Sequence, residues 1–409
     1  MRPVLKPALR RLWRGDDTIQ LGADPAHAVV LHGVDAGASA VLALMDGTRD
    51  ADEIVAAAAR RGVPEADVRA FFGLLASVHA LDDAAAAPHG VSAIERERLD
   101  PDLSSLSLLA ATPGGGTRLF ESRRATRVLV VGAGRVGSLV ASLLAAAGVG
   151  HVTIRDEHVA SVADAVPGGL CPRDDGQPRA IAAVEAAQRA GGTSVDGSVR
   201  PPNAIDCRDA DFAVLALDWW LAPPPALLEL FGGAGLPYVV TGVRETYGVV
   251  GPLVLPGKTA CPRCLDLHRA ARDSGWPVIA AQLMTDARGC APACDVALAA
   301  GVAALTVGQV LAHVSPPSAS RCVNATLELR LPAWTVRRRT WTTHPDCPCA
   351  AAVAAEKQAA AERLAEIEAA TSRRRSTERT QDPAAQHGGD PGPTTSQAAP
   401  VPAAATTRR

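Results

Sequence analysis

Two groups of residues in this chain have the types and spacing to do chemistry. The first is cysteine. Cys261-Pro262-Arg263-Cys264 places two thiols on one short turn, and His344-Pro345-Asp346-Cys347-Pro348-Cys349 supplies a second pair far along the chain. Two such pairs complete a tetrahedral zinc set. Four sulfur ligands leave no open coordination position, so the metal would be structural and would pin the end of the chain onto its domain. Cys290-Ala291-Pro292-Ala293-Cys294 competes for ligation. Redox work by the first pair is disfavoured, because it follows a Pro-Gly loop and not a strand-to-helix entry.

The second group is Gly132-Ala133-Gly134-Arg135-Val136-Gly137, which follows the apolar run Val128 to Val131 and precedes a helical stretch from Ser138 to Ala147. Glycines at 132, 134 and 137 permit a tight turn and close backbone approach, and the helix N–H groups then face a phosphate. The next apolar run, Val152 to Ile154, ends in Arg155-Asp156, where an acidic residue would bond a ribose hydroxyl. NAD, ATP or no nucleotide at all, with the glycines serving packing alone, remain open on these residues.

The remaining thiols have simpler readings. Cys171, Cys207 and Cys322 read as core or surface thiols. Cys171, in a polar Pro/Arg/Asp stretch, is the outside candidate for a thioester-forming cysteine. His268 reads as a surface or capping residue.

The elements that must position these groups alternate in the βαβ manner. Further apolar runs at Phe212 to Leu217, Tyr238 to Thr241 and Val249 to Val254, with helical stretches between several of them, predict a Rossmann-like parallel sheet over 127–350. Before it, residues 1–83 hold two short strands, Thr18 to Leu21 and Ala28 to Leu31. Three helices follow: Ala38 to Met45, one opening at Thr48-Arg49-Asp50-Ala51-Asp52-Glu53, and Pro64 to Ala80. That is a winged-helix-like α+β plan. Residues 84–126 read as a Pro/Gly/Ser linker, most flexible at Pro113-Gly114-Gly115-Gly116. Residues 351–370 read as an Ala-rich helix and 371–409 as a disordered tail.

Composition adds exclusions. The formal net charge is -2, with basic charge carried almost wholly by arginine beside only Lys6, Lys258 and Lys357, so no global pull toward nucleic acid is implied. Apolar stretches such as Leu139 to Val149 are too short to span a bilayer, and no membrane association is expected. No signal-peptide pattern follows the basic N-terminus, so the cytoplasm is the expected location. There, nine cysteines argue for metal ligation or buried thiols over disulfides.

Taken together, the runs RVLVVGAGRVGSLVASLLAAAGVGHVTIRDEHV, YGVVGPLVLPGKTACPRCLDLHR, CAPACDVALAAGVAALTVGQVLAHV and HPDCPC resemble the ThiF, MoeB and ubiquitin-activating superfamily. The resemblance implies adenylate formation on a carboxylate with ATP and Mg, and often a homodimer. It implies Cys261, Cys264, Cys347 and Cys349 as zinc ligands. It also implies Gly132, Gly134, Gly137, Asp156, Arg179 and Asp218 as the nucleotide set. The sequence departs from that pattern. Val166 falls near where the family carries a phosphate-neutralising Arg, Arg179 stands for its Lys, and Trp219-Trp220 follow the Mg-binding Asp218. Losing one cationic contact at a developing oxyanion costs several kcal/mol of barrier, so the nucleotide site reads as degenerate.

The N-terminal run LALMDGTRDADEIVAAAARRG resembles the PqqD-like peptide-recognition element. That implies capture of the leader of a ribosomally made precursor peptide by strand addition, at an edge formed by Thr18 to Leu21 or Ala28 to Leu31. The combination resembles the leader-binding component of thiazole/oxazole-modified microcin cyclodehydratases, whose YcaO-type partner performs the ATP-dependent chemistry. The expected role is therefore a non-catalytic scaffold. An active ATP-dependent adenylyltransferase acting on a peptide or sulfur-carrier C-terminus is the alternative, and a NAD oxidoreductase a more distant one.

Overall fold

The computed structural model describes residues 1–216, 223–283, 293–315 and 319–356, with 358–359, 362–363 and 366–367. Asp218, Trp219, Trp220, Cys290 and the tail 371–409 lie outside the described residues.

The N-terminal part runs β1 (Pro3–Leu5), β2 (Arg11–Trp13), β3 (Ile19–Leu21), β4 (Val29–Leu31), α1 (Ala36–Leu44), α2 (Ala51–Ala59), α3 (Glu65–Ser77) and β5 (Leu81–Asp83). Strands β2, β3 and β4 form an antiparallel sheet in that order, and β1 pairs with β5. Alternation puts Ile19, Leu21, Val29 and Leu31 inward against Val41, Ile54, Val68 and Leu75 of the three helices. Helix α2 starts where its capping box dictates: Asp50 accepts from the Glu53 amide, and Glu53 accepts from the Asp50 amide. The order corrects one expectation. β3 is paired on both sides, so the stretch Thr18 to Leu21 presents no edge, and among the described residues the open edges are β2 and β4.

The segment read as a linker contains two helices, α4 (Ala93–Leu109) and α5 (Gly115–Ala125). Ser92 caps α4 by accepting from the Glu95 amide. Leu99, Leu106 and Phe120 form a small buried core between the two helices. Gly115 and Gly116, expected at the most flexible point, are buried. Gly116 packs so closely on the Ser107 backbone that a Cβ would sit 2.7 Å from its nitrogen. Two anchors hold the pair in place: buried Lys6 donates to the Ala110 carbonyl at 2.6 Å, and Arg98 donates to that of Ala146 at 2.8 Å.

The remainder is built on β6 (Arg127–Val131), α6 (Arg135–Ala146), β7 (His151–Arg155), α7 (Arg179–Ala190), β8 (Ser194–Ser198), α8 (Ala204–Asp209), β9 (Phe212–Ala216), α9 (Pro225–Ala234), β10 (Tyr238–Arg244), β11 (Tyr247–Val254), α10 (Pro262–Ala270), α11 (Trp276–Leu283), α12 (Val296–Val314), β12 (Ala325–Arg330) and β13 (Thr335–Thr340). One sheet runs in the order β13-β12-β11-β10-β9-β6-β7-β8. Its β10-β9-β6-β7-β8 half is parallel, and β10 to β13 pair antiparallel. The chain leaves β6 toward β7 on one side and returns through β9 on the other, which places the β6 loop at the switch point of the sheet.

Val128, Val130, Val214 and Val239 point to the α6 and α12 side, Leu129, Val131, Leu215 and Val240 to the α9 side. Helix α12 is apolar and long enough by length and composition to cross a membrane. Here it lies along the sheet, burying Leu298, Val302, Thr306 and Val310. Residues 349–356 begin a C-terminal helix.

Candidate functional site

The glycine loop takes its shape from three contacts. Gly132 sits at φ 91°, a left-handed conformation that favours glycine, and its N–H donates to the Arg155 carbonyl at 2.9 Å. Gly134 caps α6. At Gly137 any Cβ would collide with the Gly132 carbonyl oxygen, so this residue must be glycine for α6 to start so close to β6. Buried Asp156 lies beneath the loop: its Oδ2 accepts the Ala133 N–H at 2.6 Å, and its Oδ1 accepts the His158 N–H at 2.7 Å. The motif residues 132, 134, 137 and 156 are thus brought together. Asp156 already has one oxygen engaged by the loop that it would help to serve.

The two departures noted in the sequence have physical counterparts. Val166 is buried in the sheet's main apolar cluster, so this position offers the cleft no charge. Arg179 binds Asp164, with Nη2 at 2.7 Å from Oδ1 and Nε at 3.1 Å from Oδ2, and both side chains are mostly buried. The cation at the glycine loop is instead Arg135, which the spacing passed over although its charge within the motif was a legible signal. It donates to the Cys294 carbonyl and, at 3.4 Å, to that of Ala165. Its buried Nε has no hydrogen-bond partner among the described residues.

The cysteines meet as their spacing demanded. Cys261 caps α10, Cys264 lies in its first turn, and Cys347 and Cys349 follow the last strand. The four sulfurs lie within 4.8 Å of one another. Cys261 is 3.9, 3.6 and 3.7 Å from Cys264, Cys347 and Cys349, and Cys264 is 3.3 Å from Cys349. Tetrahedral zinc with bonds of about 2.3 Å requires S···S separations of about 3.8 Å, so the residues fit that ion.

Hydrogen bonding from Cys261 holds the Cys264 thiol below the usual thiol range. Burial, aided by hydrogen bonds to Cys347 and Cys264, pushes the Cys349 thiol up. A divalent cation is what would let all four ionise together. Ala260, Leu265 and Trp341 pack around the group. Cys294 stands outside it and packs against the main sheet cluster.

Burial raises the thiols of Cys207 and Cys322 to about 11 and 12, those of inert core groups. Cys171 Sγ donates to Asp174 at 3.2 Å beside a cavity of about 740 Å³. His268 meets the Thr342 carbonyl through Nε2 at 2.9 Å and is not among the clustered ligands.

A mostly parallel sheet with a glycine loop at its switch point and a cysteine tetrad at one end defines a Rossmann-like α/β protein. The chain belongs to the ThiF family, whose model matches residues 108–349. No curated protein sequence matches it.

Among solved structures it resembles E. coli MccB bound to ATP at 17% identity and a TM-score of 0.62. It also resembles the microcin C7 biosynthetic enzyme MccB in complex with N-formylated MccA, at 16% and 0.60. Each likeness covers 85% of this chain and 99% of that one. A third, to PaaA, has 16% identity and a TM-score of 0.62 over 82% of this chain and 99% of the other. At these identities the likeness is one of fold.

Proposed function

We propose that this chain captures the leader of a ribosomally made precursor peptide and presents the peptide to a modifying partner, a YcaO-type cyclodehydratase in azoline or azole formation. The observation that carries the reading is the edge of β4, left unpaired among the described residues. Its inward residues Val29 and Leu31 are fixed in the core, Val30 faces outward, and its outer backbone is open to an added strand. Residues 1–83 serve in this reading as the recognition module and 127–350 as the ThiF-type platform, stiffened by a structural zinc on Cys261, Cys264, Cys347 and Cys349. The microcin C7 biosynthetic enzyme MccB in complex with N-formylated MccA supports it by kinship of fold.

A second reading is ATP-dependent adenylyl transfer to a peptide C-terminus. The intact Gly132–Gly137 loop favours it, with Gly132, Gly134, Gly137 and Asp156 holding the nucleotide, Asp218 a metal ligand and Arg179 a phosphate contact. The Arg179–Asp164 pair and the burial of Val166 weigh against it. Pyrophosphate exchange with candidate peptides separates the two. Tight leader binding without exchange fits the scaffold, whereas exchange abolished by Asp218→Ala fits the transferase.

A further inference from the structure

The outer end of the large sheet carries a concentration of charge that the peptide-capture reading does not use. On β13, Arg337 and Arg339 point to one side, the side on which α10 lies. Arg339 stacks 4.2 Å above the Trp341 ring, and Arg269 and Arg272 approach the same ring at 5.7 and 5.9 Å. Trp341 is buried and fixed by its indole N–H, which donates to Thr326 at 3.0 Å. Three guanidinium groups, from α10, the turn after it and β13, thus share one indole.

Carboxylates balance them only in part, although Glu328 lies across the strand from Arg337 and attracts Arg339. Asp266 answers Arg269 at 2.9 Å, and Glu328 answers Arg330 at 2.8 Å. Arg272, Arg337 and Arg339 have no ion pair among the described residues. Burial holds the Arg339 guanidinium below its usual range, and the charges of Arg272, Arg269 and Arg337 add to this against the attraction of Glu328.

Lone arginines on an edge strand protect it from sticking to other strands. That purpose needs charge on the edge alone. It gives no reason for α10 and the turn after it to add Arg269 and Arg272 to the same ring, at a cost in mutual repulsion. The edge is also only half guarded. Among the described residues nothing pairs with the outer side of Thr335–Thr340, and Trp334 and Val336 beside it are about half exposed. An extended acidic chain would meet every one of these features: backbone pairing along β13, apolar cover for Val336, and carboxylates for the unpaired arginines.

We propose that the outer edge of β13, with Arg272, Arg337 and Arg339, docks an acidic extended segment of a polypeptide as an added strand. This would be a second peptide-binding surface, distinct from β4. A polyanion such as nucleic acid could use the charge but not the open backbone.

The test is fluorescence anisotropy on the full chain. The probes are labelled peptides alternating Glu with Val or Lys with Val, a Glu/Val peptide N-methylated at alternate amides, and a single-stranded oligonucleotide of similar length. The Glu/Val peptide should bind most tightly, with affinity falling as salt rises. Arg337→Glu/Arg339→Glu should weaken it at least about tenfold, while Arg337→Lys/Arg339→Lys, with the same charge, should keep most of it. N-methylation should weaken it comparably.

The proposal fails if the Lys/Val peptide or the oligonucleotide binds as well or better, or if the N-methylated peptide is unaffected. It also fails if the glutamate variant binds at wild-type strength. Should the glutamate variant not fold, as read from thermal melting, Arg272→Glu takes its place with the same expected loss. Binding here should survive Val30→Pro, so the fate of the β4 reading is decided separately.

Discussion

The guanidinium of Arg179 grips the carboxylate of Asp164 with two nitrogens, at 2.7 and 3.1 Å, across fifteen residues of chain. Asp164 also accepts the Ser161 amide at 2.8 Å, which builds the short turn between β7 and α7. The cation that should face a phosphate is therefore neutralised by its own loop. Asp164→Asn keeps an acceptor for the turn and removes the charge. Affinity for Mg·ATP, measured by calorimetry, should rise by up to about fivefold, the equivalent of roughly 1 kcal/mol of relieved attraction at a partly solvated site. Unchanged affinity would mean that Arg179 has no part in nucleotide binding.

The cysteine tetrad should be a zinc centre in solution. The purified chain should carry one zinc by elemental analysis, and Cys261→Ser should lose it. The loss should cost roughly 3 kcal/mol or more and lower Tm on the order of 10 °C. Cys294→Ser, outside the tetrad, should keep both metal and Tm. Equal metal content in the two variants would refute the assignment.

Peptide capture at β4 calls for a contrast between two edges. Val30→Pro on β4 should abolish leader binding, because proline removes an N–H and crowds an incoming strand. Trp13→Ala on β2, the opposite edge, should leave it within about twofold. Anisotropy with a labelled leader reads both, with circular dichroism to verify folding. A reversed result would move the acceptor to β2.

Acid stability should report on Asp206. Burial opposes its ionisation, but hydrogen bonds from Arg200, Arg155 and the Asn203 amide outweigh burial and bring the carboxyl to about 2. The folded value lies below the unfolded one, near 3.9. This group therefore stabilises fully above about pH 4, and its contribution is lost as pH falls from there toward 2. Denaturant titrations should show a wild-type acid limb that is shallower in Asp206→Asn, by about 1 kcal/mol after solvent screening. Superimposable limbs would exclude Asp206 as the source.

The sequence was most readable where covalent geometry leaves little choice. Gly137 must be glycine because the Gly132 carbonyl occupies its Cβ position, and two short cysteine spacings can meet at only one kind of centre. It was least readable where packing decides. Helix α4 buries only Leu99, Leu106 and Ser107, without a regular apolar stripe, and includes Pro101, so its pattern resembles a linker. The Gly115-Gly116 pair suggested slack but marks tight contact with Ser107, because a missing side chain signals either equally well. Strands β1 and β2 are three residues long, too short for alternation to register. β8 is the polar outer strand Ser194–Ser198, with Asp196 facing Arg155 and His151.

The contacts that close the cysteine tetrad join positions 86 and 88 residues apart. With a metal in place, the intervening chain, which carries α11, α12, β12 and β13, becomes a ring and is no longer an arm. By loop-closure arithmetic, a ring of that length removes on the order of 4 kcal/mol of entropy from the unfolded ensemble. It also keeps β12 within a shortened search distance of β11. The ion would thus act on how quickly the far half of the sheet finds its register as well as on how firmly it stays there.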